Sequence, residues 1–152
     1  MSQLTTAAPD AGELNAFGTH LARVFAGQEQ QPPFAAHLDL GGVSVERGRV
    51  VFALDVQPFH LNPLGTLHGG VMATLLDSAM GCAVHTTLED DVLYSSGDLA
   101  VRFLRPVQAG ERVEAAGWVV HRGRRTATAE GEILGPGGRL VAKASSTCVI
   151  LR

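Results

Sequence analysis

The sequence is poor in the features that announce a special environment. It holds two cysteines in 152 residues, Cys82 and Cys148, both among apolar neighbours. Two is too few for a disulfide framework, and neither sits at metal-ligand spacing, so a pair of reduced packing residues is favoured over a bridge or redox pair. Charge is sparse as well: 18% of residues are charged and the formal net charge is -3. That excludes broad attraction to nucleic acid or to an anionic membrane, and any basic site must be local. Met1-Ser2-Gln3-Leu4-Thr5-Thr6 lacks a basic start followed by an apolar run, so no secretion signal is expected. Nor is any apolar run long enough to span a membrane, because Asp77 interrupts the one candidate. The expectation is a cytoplasmic protein that binds neither nucleic acid nor membrane.

What is present is an ordinary globular composition, 45% hydrophobic, with enough chain for one real core. Asp10 with Glu13 resembles a capping box. Leu14, Phe17, Leu21, Val24 and Phe25 then recur at helical spacing up to Gly27, which predicts a short amphipathic helix lying against something. Gln28 to Phe34, with Pro32 and Pro33, reads as a connector. Val43 to Val45 and Val50 to Val56 flank Glu46-Arg47-Gly48-Arg49, a hairpin pattern. From Leu67 to Val84 the chain is apolar on almost every side, which predicts a buried helix. After Asp91 the period falls to two, in runs around Leu99–Phe103, Thr126–Ile133 and Leu140–Cys148, separated by glycine-containing turns. About four strands are expected there. An α+β fold with one antiparallel sheet wrapped around the central helix is the simplest way to bury that helix.

Between Asp55 and Glu89 the only formally charged side chain is Asp77, two-thirds of the way along the expected helix. A buried unpaired carboxylate costs several kcal/mol unless it is hydrogen-bonded, paired or protonated. It could pair structurally with a histidine such as His85, or it could serve chemistry; residue type alone leaves both open. Gly70, Ala73, Thr74, Asp77 and Gly81 fall on one stripe of a 3.6-residue helix, leaving either a slot for a narrow substrate or a close-packing face. His68-Gly69-Gly70 stands where the helix begins. Free N–H groups and the positive end of the helix dipole meet there and suit a developing oxyanion, although a loop-to-helix Gly-Gly also occurs without function.

His60-Leu61-Asn62-Pro63-Leu64-Gly65-Thr66-Leu67-His68-Gly69-Gly70, followed by Leu76-Asp77-Ser78-Ala79, resembles the signature of the PaaI-type (phenylacetic acid degradation-related) thioesterases: N-P-x-G-x-x-H-G-G with an acid nine residues after the histidine. Ser96 to Pro106 resembles the family's following strand. The resemblance runs from about Phe34 to the C-terminus. It implies residues 1–33 as an N-terminal tail with a short helix and residues 34–152 as a hotdog thioesterase domain. It further implies hydrolysis of acyl-CoA or aryl-CoA thioesters with neither metal nor separate cofactor. The roles implied are Gly69 N–H polarising the thioester carbonyl, Asp77 activating water or attacking directly, and Asn62 orienting water or thioester. His68 would shape the loop near the sulfur, and Ser96 would help place the water or the acid. Some relatives carry Glu at the position of Asp77 and threonine at that of Gly81.

Gly69 and Asp77 lie eight residues apart, roughly 12 Å along a helix axis. One carbonyl held by Gly69 is out of reach of Asp77 on the same helix. Two antiparallel copies would bring Asp77 of one to Gly69 of the other, so a homodimer with shared sites is expected. The resemblance implies the same and further implies a dimer of dimers, whose arrangement stays open because relatives pair dimers in more than one way. Arg105, Arg124 and Arg125, with Gly70 and Gly123, are the candidate contacts for CoA; an ordinary charged hairpin tip explains Arg124 and Arg125 equally well. His20, His37 and His121 read as surface or edge residues, and Trp118 and the phenylalanines as core. Two rivals are a non-catalytic acyl-CoA-binding hotdog protein, which would want an output domain, and a hydratase, which would want an acid–histidine pair aimed at a substrate carbon.

Overall fold

The computed structural model describes residues 12–152. Helix α1 spans Ala16–Phe25, α2 Pro33–His37 and α3 Gly69–His85. The strands are β1 Gly41–Glu46, β2 Arg49–Asp55, β3 Leu93–Ser96, β4 Ala100–Phe103, β5 Arg112–Arg122, β6 Thr126–Gly135 and β7 Arg139–Leu151. All pair antiparallel in one sheet of order β1-β2-β5-β6-β7-β3, with β4 beside β3 on the same edge of β7.

The sheet curls around α3, and the sequence dictates how. The inner faces of β5, β6 and β7 carry small residues: Ala115 and Gly117, Ala127, Ala129 and Gly131, Ala142 and Ala144. Gly117 and Gly131 are cross-strand partners. A Cβ at Gly117 would run into the backbone of Ala79 and Met80, and one at Gly131 would come within 3.1 Å of the Met80 side chain. The two glycines thus form a notch in which the middle of α3 lies directly on the sheet. Leu75, Leu76, Ala79, Met80, Ala83 and Val84 fill that side and are wholly buried. Irregularities after Gly42, Val119 and Ile133 add the bends that let a long sheet wrap.

Several expectations change. Asp10 lies outside the described residues, and α1 is capped instead by Asn15, whose side-chain oxygen accepts from Gly18 N–H. The connector after Gln28 turns helical at Pro33, since proline suits a first helical position. Five strands rather than about four follow α3, because Leu93–Ser96 is too short to show an alternating pattern. Helix α3 starts at Gly69, so Asp77 stands at its midpoint. Nor is α3 buried all round: Gly70, Ala73, Thr74, Asp77 and Ser78 keep a strip of it open within one chain. No helix among the described residues is long and apolar enough to cross a membrane.

Candidate active site

The helix start is built by a tight loop. Asn62 Oδ1 accepts from Leu64 N–H and Thr66 N–H, Asn62 Nδ2 donates to Thr66 Oγ1 at 3.0 Å, and Gly65 takes the positive φ that closes the turn. Buried His60 braces the loop from below. Its Nδ1 accepts from Gln57 N–H and its Nε2–H donates to the Leu38 carbonyl, which fixes the neutral tautomer. The His60 carbonyl in turn accepts His68 N–H.

His68 is the N-cap of α3. Its Nδ1 accepts Gly70 N–H at 2.8 Å, and its carbonyl accepts from Val71 and Met72. Gly69 N–H is left without a hydrogen-bond partner among the described residues. The Phe103 ring covers Gly69, so a side chain there would be pressed against it. Gly69 therefore presents a free donor at the positive end of a 17-residue helix, in a hollow of about 360 Å³ that it shares with Asn62, Phe103 and Arg105. Arg105 is oriented by donating to the Leu140 carbonyl at 2.6 Å.

Asp77 faces a different hollow. Ser96 Oγ donates to its Oδ1 at 2.7 Å, joining the middle of α3 to the end of β3. The side chain is half-buried, so this bond offsets part of the lost hydration and leaves Oδ2 for another partner. His85 does not pair with it. That imidazole stacks on Phe17 with ring centroids 3.8 Å apart and meets Tyr94 edge-on, and burial holds its pKa below the ordinary histidine value. Burial first, and then the charge of Asp77, push the Cys82 thiol up to about 12, which removes it as a nucleophile.

Asp77, Ser78, Cys82 and Tyr94 line one side of a mainly apolar cavity of about 340 Å³. Its other walls include Phe17, Leu21 and Phe25 of α1 and Phe34 of α2. These phenylalanines, read as core from the sequence, are cavity walls, and His20 lines the rim while pairing with Glu29. Trp118 is buried, but with Val51 and Ala116 in a separate cluster rather than in the main core. Tyr94 and Asn15 were not singled out by sequence, and Phe17 was read only as one of the recurring apolar positions of the first helix. The lone tyrosine of the chain was the available signal for Tyr94. Nothing local marked Asn15 as a tie to the end of α3, and periodicity placed Phe17 on the buried face without naming its partner.

Gly123, Arg124 and Arg125 form the β5–β6 turn beyond the C-terminal end of α3, where neighbouring Arg122 pairs with Glu89 at 2.6 Å. Arg105 lies at the opposite end, so one chain does not gather the three arginines. Among the described residues no group of three or more His, Cys, Asp or Glu is arranged to hold a metal ion.

A curled antiparallel sheet around one helix, with an acid at mid-helix and a free N–H at the helix start, defines a hotdog thioesterase architecture. Residues 64–142, just over half of the chain, match the Thioesterase superfamily, and the chain belongs to it. Human acyl-coenzyme A thioesterase 13 is 30% identical over 69% of this chain and 75% of its own length. A variant of the phenylacetic acid degradation protein PaaI from Thermus thermophilus superposes with a TM-score of 0.72 at 35% identity, covering 78% of this chain and 98% of that one. A Streptococcus mutans protein bound to acetyl CoA gives 0.69 at 28% identity, covering 74% and 88%. The resemblance to PaaI thioesterases read from His60–Gly70 holds.

Proposed function

We propose that this protein hydrolyses an acyl-CoA or aryl-CoA thioester to the free acid and CoA, at a site shared by two antiparallel copies of α3. The observation that carries this is the separation of two half-sites. Gly69 offers its unpartnered N–H in one hollow, and the Asp77–Ser96 pair faces another. A two-fold pairing along the open strip of α3 joins Asp77 of one subunit to Gly69 of the other. The exposed Leu99, Phe103 and Leu104 on and beside the edge strand β4 give such a pairing apolar surface to bury. The same operation carries Arg124 and Arg125 toward Arg105 of the partner subunit, which assembles a cationic group suited to the phosphates of CoA.

In the reaction, Gly69 N–H and the helix dipole hold the thioester oxygen as it becomes an oxyanion. Asp77, oriented by Ser96, takes the proton of an attacking water, or attacks the carbonyl carbon itself to give an acyl-aspartyl anhydride that water hydrolyses to the free acid after CoA has left. The second Nδ2–H of Asn62, not used in its loop, points water or thioester into line. The tetrahedral intermediate collapses by breaking the C–S bond, and the thiolate of CoA leaves without a strong general acid because thiols ionise near pH ~8.5. Support for a CoA thioester comes from the relatives named acyl-coenzyme A thioesterase and from the acetyl-CoA-bound neighbour.

Thiol release from a panel of acyl-CoA esters tests the reading. Asp77→Ala falls by about 10²–10⁴-fold, to near background, because a positioned base contributes that much. Mixing Asp77→Ala chains with Asn62→Ala chains restores part of the activity, since each mixed dimer keeps one intact composite site. Wild-type turnover by Asp77→Ala removes the mechanism, and mixed dimers with no recovery remove the shared site. Single-turnover oxygen-18 incorporation into the protein separates nucleophile from base.

A further inference from the structure

The N-terminal helix is held onto the domain at both ends. Asn15 Nδ2 donates to the His85 and Leu88 carbonyls, both at 2.8 Å, tying the start of α1 to the end of α3. Ala16 N–H donates to Asp90 Oδ1 at 2.8 Å, and Phe17 stacks on His85. At the other end the Phe25 ring occupies the space a side chain at Gly42 would need, and meets Phe52 edge-on. Between these two anchors α1 spans the cavity whose opposite wall is Asp77, Ser78 and Cys82. The roof is therefore a fixed wall whose inward side chains set the depth of the space.

We propose that this cavity receives the acyl group of the thioester, and that α1 sets its size limit through Phe17 and Leu21. The inference rests on the thioesterase reading for the identity of the ligand. The cavity begins at Asp77 and is apolar beyond it, which suits the part of a substrate that follows the scissile carbonyl. Its volume of about 340 Å³ gives room for roughly ten methylene-sized groups, taking a methylene as comparable to the ~30 Å³ that a water molecule occupies in the liquid. Among the described residues no lysine or arginine lines it, burial lowers the pKa of His85, and His20 at the rim is already paired with Glu29. A second carboxylate on the acyl chain would meet Asp77 and no cation. The substrates are uncharged acyl groups of up to about ten carbons; long-chain and dicarboxylic acyl groups are rejected.

The experiment measures kcat/KM for straight-chain acyl-CoA from four to sixteen carbons and for succinyl-CoA. In parallel, calorimetry measures binding of the matching S-alkyl-CoA thioethers, which cannot be hydrolysed. One methylene in an apolar pocket discriminates about 10–200-fold, so the cut-off should be sharp. The expected wild-type profile falls at least tenfold between ten and fourteen carbons in both measurements, with succinyl-CoA at least tenfold below butyryl-CoA. Phe17→Ala moves the cut-off to longer chains, and Leu21→Phe moves it to shorter ones. Circular dichroism spectra and cooperative thermal unfolding like those of wild type identify folded variants. A flat length profile, or a profile unmoved in both folded variants, overturns the assignment of α1. If no thioester is hydrolysed while thioether binding keeps its length limit, the catalytic reading fails and the pocket assignment stands.

Discussion

On the sheet side of α3 the small residues belong to the strands; on its open side they belong to the helix. Gly117 and Gly131 remove side chains from β5 and β6 so that Ala79 and Met80 can lie on the sheet. Gly70, Ala73 and Thr74 remove bulk from the helix itself and leave Asp77 reachable. The same residue types thus serve close packing on one side and access on the other. What tells them apart is which surface already has a partner in the chain.

Enlarging the notch is the strongest way to sharpen this contrast. Gly117→Val drives two methyl groups toward helix backbone that has nowhere to move, and overpacking of this kind costs about 3 kcal/mol or more. At this chain length that is a loss of roughly 6–12 °C in Tm, read by thermal unfolding. Asp77→Ala, on the open side, keeps its Tm within about 0.5 kcal/mol equivalent while losing turnover. If Gly117→Val melts like wild type, the close approach of helix and sheet is not what holds the fold together.

A smaller effect is expected at the support of the acid. Ser96→Ala removes the 2.7 Å bond to Asp77 and lets the carboxylate rotate. With Ser96 exposed and Asp77 half-buried, kcat should fall about tenfold with KM nearly unchanged, as for an interaction that matters only in the transition state. A rise in KM alone would place Ser96 in substrate binding instead.

The smallest effect is the pH response of the wall between α1 and α3. Burial lowers the pKa of His85 in the fold, so at falling pH the unfolded chain takes up this proton first, near its ordinary value of 6.5. Stability from neutral His85 is complete above that value and declines as pH drops through it toward the lower folded pKa. A modest Tm decrease as the pH is lowered from above that value to below it, reduced in His85→Phe, is the expected result. An unchanged decrease in His85→Phe assigns it to other groups.

The hairpin at Gly48, the central helix, the strands β6 and β7 and the loop of Asn62 to Gly70 were all legible, because each is specified by residues close together in the chain. The pairing of Ser96 with Asp77 was reachable only through family resemblance, since 19 residues separate them. The stack of Phe17 on His85 and the bonds from Asn15 to the end of α3 were invisible, because nothing in residues 15–17 encodes contact with residues 85–88.

By itself the sequence determined the lone acid of an apolar helix, the glycine start of that helix and the alternating strands that enclose it, since periodicity and turn chemistry act over a few neighbours. Tertiary structure decided which side of the helix stays open, which serine holds the acid and which helix roofs the cavity. Those outcomes depend on steric fit between segments distant in the chain, and local patterns carry no information about it.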